Sequence, residues 1–245
     1  MTRKRHRPAR RTAVAVPVLL AVCLLASACG RSASSAGSAT GTISPTAGLV
    51  TTTPAGSKQV SSVTWAVYRD VQTLDPMFAF DYPENTAISL MSESLLLQSP
   101  SGALEPGLAT VANPSPTRMV FTLRPGVTFW NGQPVTPADV VYSLDRQMNP
   151  ANGGFYSEVF SRVRSIQATG AEQVTITLSQ PDYWLAGELS SMPGIIISKS
   201  FATKQGRNYG TSAGSIMCTG PYELSSWIPG WASPRWSTRT TGIPR

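Results

Sequence analysis

Histidine is nearly missing from this chain of 245 residues: the only one, His6, sits in a basic leader. A body without imidazole has no Ser-His or Cys-His nucleophile pair and no histidine-based zinc site. Cysteine is almost as scarce, with Cys23, Cys29 and Cys218. Cys23 lies in the leader and Cys29 at its end, so Cys218 stands alone in the body without a disulfide partner. No Gly-rich phosphate loop occurs; Gly153 and Gly154 follow Pro150-Ala151-Asn152 and read as a loop. A hydrolase using carboxylates alone could draw on a pair such as Asp139 and Asp145. Asp139, however, already has a charge role at a helix start. The expectation is that the protein is not an enzyme and uses no cofactor or metal.

Acidic residues are the scarcer charge, 13 against 20 Lys and Arg, for a net charge of +7. Six of the cations are Arg3, Lys4, Arg5, Arg7, Arg10 and Arg11. Without them 14 basic residues face 13 acidic ones, a net +1. The basicity belongs to the leader, and it gives no argument for nucleic acid, which needs a basic patch on the folded body.

A short, almost wholly apolar run, Ala13 to Ala28, follows those cations, the layout of a secretory signal. It is too short for a confident membrane span. Leu25-Ala26-Ser27-Ala28-Cys29 resembles a bacterial lipoprotein box, with small residues before the cysteine and the Cys29 thiol as lipid acceptor. Ordinary cleavage after Ala28 is the alternative, and Arg10-Arg11 leaves Sec and twin-arginine export both open. The expectation is a lipoprotein signal peptide over 1–28 and a lipid anchor at Cys29, holding the protein on the outer face of the cell membrane. Residues 29–60 are rich in Ser, Thr, Ala and Gly and poor in large apolar side chains. Such a stretch buries too little to offset its ordering entropy, and it reads as a flexible tether.

The body begins near Ser61. Val63, Trp65 and Val67 alternate with Thr64 and Ala66, which predicts a strand. Helical spacing through Ile88, Met91 and Leu95 predicts a helix over 86–97, after an irregular loop over 78–85. Met119, Phe121 and Leu123 alternate with Val120 and Thr122, a second strand. Arg124-Pro125-Gly126 is turn chemistry. Val127 to Phe129 resumes the extended run, and Asn131-Gly132 favours a hairpin turn. Thr136 is placed as an N-cap, with Pro137 at the first helical position and Asp139 in the first turn. Val140, Val141, Leu144 and Met148 then give that helix an apolar face. Val174, Ile176 and Leu178 predict another strand, 182–189 a short helix, and Ile195 to Ile197 a buried strand. No repeat of fixed period is present.

The run from Phe121 to Ser143, with Leu123, Arg124, Gly126, Val127, Phe129, Gly132, Val135, Thr136, Asp139 and Val140 in order, resembles the signature of the family 5 extracellular solute-binding proteins. Thr73-Leu74-Asp75-Pro76, Ser92-Glu93-Ser94-Leu95-Leu96 and Thr219-Gly220-Pro221-Tyr222 resemble further family segments, again in order. The resemblance covers about Val63 to Gly230. It implies an α/β, periplasmic-binding-protein-like fold of class II with an extra β-rich subdomain. It maps 61–101 and 179–230 to a first α/β lobe and 102–178 to the inserted subdomain, with the C-terminal lobe missing. It also implies a solute-binding lipoprotein of an ABC importer, taking oligopeptides, with permease subunits in the membrane as partners. Peptide, nickel-chelate and sugar binders share these motifs. In peptide-binding members the loop after the first strand pairs with ligand backbone, a role that falls on Phe80, Asp81 and Tyr82. Trp130, Trp184 and Tyr222 are further cleft candidates, although lone aromatics are commonly core residues. The contrasting class is a surface lipoprotein with an adhesive or structural role and no transport ligand.

Family members are about twice this long, and 231–245 has neither strand nor helix period and no acid. A reading frame offset by two nucleotides from Gly230 onward permits an apolar strand and an Asn-x-x-Tyr-Trp stretch like the family's. The expectation is a frameshift near 227–230, an aberrant or disordered tail over 231–245, and impaired binding. Gene sequence beyond codon 227 tests this: an apolar, family-like frame is expected, and its absence refutes the frameshift.

Overall fold

A computed structural model describes residues 61–228 and 232–238. The leader, Cys29 and the tether lie outside the described residues, as do 229–231 and 239–245.

The described residues open on a segment, 61–69, that forms no strand and pairs with no described strand, with Val63 and Trp65 in solvent. The alternation there is real, but a strand also needs a neighbouring backbone to complete its hydrogen bonds. Helix α1 (Tyr82–Met91) follows. It starts earlier than the periodicity suggests because Asp81 caps it, its carboxylate accepting the Tyr82 N–H, and Pro83 lies in its first turn. It also ends earlier. Ser92 turns extended, and Leu96 enters strand β1 (Leu96–Gln98), which pairs antiparallel with β2 (Leu104–Pro106).

The central sheet is antiparallel, in the order β3 (Ala109–Ser115), β4 (Arg118–Leu123), β6 (Gln173–Leu178), β5 (Val163–Ala168). Phe121 lies opposite Val111 on one side and Val174 on the other. Met119, Phe121 and Leu123 are buried and the residues between them half-buried, so the period-2 reading holds. Helix α2 (Pro137–Met148) covers this sheet, with Val140 and Leu144 fully buried among Phe121, Phe160, Ile166 and Ile176. Its start is the expected one. Thr136 is extended, and the Asp139 carboxylate accepts the Thr136 N–H at 3.0 Å in a capping box. The Asn131-Gly132 turn forms with Gly132 at φ 81, closing a single bridge between Thr128 and Pro134.

A second core gathers α1, Met192, Ile195, Ile197, Tyr209, Ile216 and Cys218. Helix α4 (Lys199–Gln205) adds Ala202 to it, whereas α3 (Leu185–Glu188), inside the expected 182–189 window, buries Leu185 in the first core. Ile195 to Ile197 is buried as expected but forms no named strand; it makes a β-bridge, Ser94 to Ile195, and Ile196 N–H donates to the Glu93 carbonyl at 3.4 Å. Ser143 and Asp139 of α2 hold this segment: Ile197 N–H donates to Ser143 Oγ at 3.0 Å and Lys199 N–H to Asp139 Oδ1 at 2.9 Å.

Strand β7 (Tyr222–Ile228) pairs antiparallel with β8 (Ala232–Thr238), from Tyr222 opposite Thr238 to Ile228 opposite Ala232. Seven residues of the segment read as aperiodic are thus strand in the structure. Backbone pairing needs no side-chain alternation, whereas a buried face does.

Candidate functional site

The loop from Asp75 to Asp81 carries the densest set of sequence candidates, and three neighbouring segments set its position. Asp75 is buried, accepts the Met77 N–H, and receives both Nη atoms of Arg146 from α2, Nη1 to Oδ1 at 2.7 Å. Burial alone would lower the Arg146 pKa; the Asp75 carboxylate outweighs it and raises it. The guanidinium also lies 5.8 Å from the ring centroid of Tyr209. From that side Leu74 N–H donates to the Gly210 carbonyl at 2.8 Å. Gly210 has φ 71, and a Cβ there would sit 2.4 Å from the Asp75 nitrogen, so only glycine allows this approach.

The segment 153–156 holds the loop from the opposite side. Phe155 N–H donates to the Met77 carbonyl at 3.1 Å, and the Tyr156 hydroxyl donates to the Ala79 carbonyl. A Cβ on Gly154 would fall 2.3 Å from Met77 Cγ.

A charge cluster fastens the far end of the loop. Arg69 makes a two-pronged contact with Glu84, at 2.7 and 2.8 Å, and reaches Asp81 Oδ2 at 3.0 Å. Glu84 is buried and also accepts the Gln72 N–H at 2.7 Å. Burial pushes the Glu84 carboxyl up, but Arg69 and the Gln72 amide outweigh it and hold its pKa below the ordinary value. Asp81 is lowered chiefly by the Tyr68 hydroxyl, with the Tyr82 amide and Arg69 adding to it.

With its ends fixed, the loop presents aromatic rings to solvent: Phe80 is 72% exposed and Tyr82 78%. Asp81 is placed differently. Its carboxylate is already shared by Tyr82 N–H, Tyr68 and Arg69, and its carbonyl accepts the Asn85 N–H at 2.9 Å. Trp184 is exposed too, next to the Asp182 cap of α3. Trp130 and Tyr222 are half-buried against the second core. Trp130 ties two distant sequence segments together: its N–H donates to the Cys218 carbonyl at 3.0 Å and its Nε1 to the Gly220 carbonyl at 3.1 Å. Gly220 packs backbone to backbone on the end of α1, where a Cβ would lie 2.5 Å from the Met91 carbonyl carbon.

Phe155 is the residue that sequence reasoning passed over. It is 57% exposed, with its ring centroid 5.4 Å from that of Phe80. The flanking Gly153-Gly154 was the only signal for it, and that signal reads as loop. Cys218 is buried, and burial pushes its thiol up to about 12. Among the described residues no cluster of His, Cys, Asp and Glu suits a metal ion, and no helix is long and apolar enough to cross a membrane.

The fold is the α/β architecture of the periplasmic binding proteins. OppA of Burkholderia pseudomallei superposes with a TM-score of 0.63 at 25% identity, over 71% of this chain and 37% of that one. The family model for bacterial extracellular solute-binding proteins, family 5 Middle, matches residues 103–232, and the chain belongs to this family. Protein XP55 of Streptomyces lividans is 32% identical over 235 residues, 94% of this chain and 40% of the relative. The periplasmic oligopeptide-binding protein OppA of Escherichia coli (strain K12) is 27% identical over 180 residues, 65% of this chain and 32% of the relative. The chain therefore spans well under half the length of these curated relatives.

Removing Arg146 leaves Asp75 buried without its partner. Arg146→Ala is expected to cost roughly 3–5 kcal/mol in urea unfolding, and Asp75→Asn/Arg146→Met to recover part of it. A loss below about 1 kcal/mol would show that the pair does not hold the loop.

Proposed function

We propose that this chain is the solute-binding component of an ABC importer for oligopeptides, anchored by lipid at Cys29 on the outer face of the membrane and serving permease subunits there. The observation that carries the peptide reading is the loop at Phe80. Ala79 and Asp81 on either side are extended, at φ −85, ψ 104 and φ −119, ψ 168. The N–H and C=O of Phe80 bond to no other described backbone group. A free donor and acceptor on extended backbone is what an added strand uses, and it reads ligand main chain irrespective of side chain. Membership of a solute-binding family, with an oligopeptide-binding relative, agrees with this.

In this reading Phe80, Asp81 and Tyr82 pair with ligand backbone. Trp130 and Tyr222 border the cleft, Trp130 through its ring face because its N–H is engaged. Residues 61–101 and 179–230 form the first lobe and 102–178 the insert. The protein has no catalytic role. The second reading is a surface lipoprotein with a structural or adhesive role and no transport ligand.

A binder gains stability with ligand. Trialanine at ten times its dissociation constant adds about 1.4 kcal/mol, which raises the melting midpoint by about 3–5 °C. No rise at any soluble concentration would reject the peptide reading in favour of the second one. Anchoring is tested separately: Cys29→Ser is expected to move the protein from the membrane pellet to the soluble fraction. A variant still in the pellet would rule out the lipid.

A further inference from the structure

We propose that Phe80 and Phe155 form a side-chain platform selecting peptides that carry an aromatic or large aliphatic residue, laid extended along the backbone at Phe80. The proposal rests on the peptide reading above and adds selectivity to it. The two rings come from separate loops, stand 5.4 Å apart and are tilted by 49°. Both are mostly exposed, while the cores nearby are filled with fully buried side chains. Large apolar groups held together in water mark a binding surface.

These rings are not on a loose loop. Phe155 N–H is bonded to Met77, Tyr156 is bonded to Ala79, and the close approach of Gly154 to Met77 leaves the segment little freedom. The ring pair is therefore preorganised, which lowers the ordering cost of binding. The occupant follows from the backbone. The unbonded N–H and C=O of Phe80 fit an extended chain, and side chains of an extended chain alternate between its faces. A ligand residue turned toward the rings meets aromatic carbon. Beside Phe80, the single Arg69 is shared by two carboxylates, Asp81 and Glu84, so the surroundings are net negative and disfavour an acidic ligand side chain.

The test is ligand-observed NMR titration of the whole chain with trialanine, alanyl-phenylalanyl-alanine and alanyl-aspartyl-alanine, which reads dissociation constants into the millimolar range. The phenylalanyl peptide is expected to bind about tenfold more tightly than trialanine, and the aspartyl peptide no more tightly than trialanine. Phe155→Ala is expected to bring the phenylalanyl-to-trialanine ratio close to one, and Phe155→Tyr to keep it. Melting curves confirm that both variants fold. Equal binding of the three peptides, or a preference that survives Phe155→Ala, overturns the platform and leaves the peptide reading standing. No binding of any peptide overturns both.

Discussion

The buried ion pair between Asp75 and Arg146 is the constraint on which the exposed loop depends. It fastens the start of the loop to α2, and α2 is itself the helix that covers the central sheet. A carboxylate removed from water is tolerable only with a partner of good geometry. Asp75 has the two-pronged guanidinium and an N–H besides. The loop can then leave Phe80 facing outward, because its position is set at Asp75, Met77 and Ala79 and not by burying its own aromatic rings.

The residues of the family-like motifs are mostly fasteners. Asp139 caps α2 and also receives the Lys199 N–H of the neighbouring helix start. Ser143 links α2 to Ile197, and Trp130 links the Asn131-Gly132 turn to the Gly220 segment. Gly220 and Gly210 are glycines because backbone atoms crowd the place where a Cβ would stand. This explains how a family signature can identify the fold without naming the solute: its residues hold the frame, and solute selection is left to side chains between the fasteners.

Much of the frame was legible before the structure. The capped start of α2 and the alternating burial of β4 carry strong local signals, and Cys218 is buried as free cysteines commonly are. The start of α1 is also written in the sequence, in Asp81 and Pro83, a capping signal that lies upstream of the helical spacing. The segment 63–67 shows the opposite failure. Its alternation is clear, yet strand formation depends on a neighbour that no local pattern supplies. The β7–β8 pairing was missed for a related reason, since it forms without side-chain alternation. In the site, the loop at Phe80 was found through family resemblance, whereas Phe155 was not. An aromatic residue beside two glycines looks alike in sequence whether it fills a core or faces water, and only three-dimensional contact brings it to Phe80.

Cys218 has one further consequence. With its thiol pushed up to about 12 by burial, Cys218 stays in the thiol form at neutral pH, and the thiolate is the nucleophile. In an oxidising compartment a lone cysteine is normally a route to mixed disulfides and covalent dimers. Here the sulfur is both out of reach and in the wrong protonation state. As long as the second core stays closed, Cys218 is shielded from oxidants, and covalent dimers linked through Cys218 would report that this core had opened.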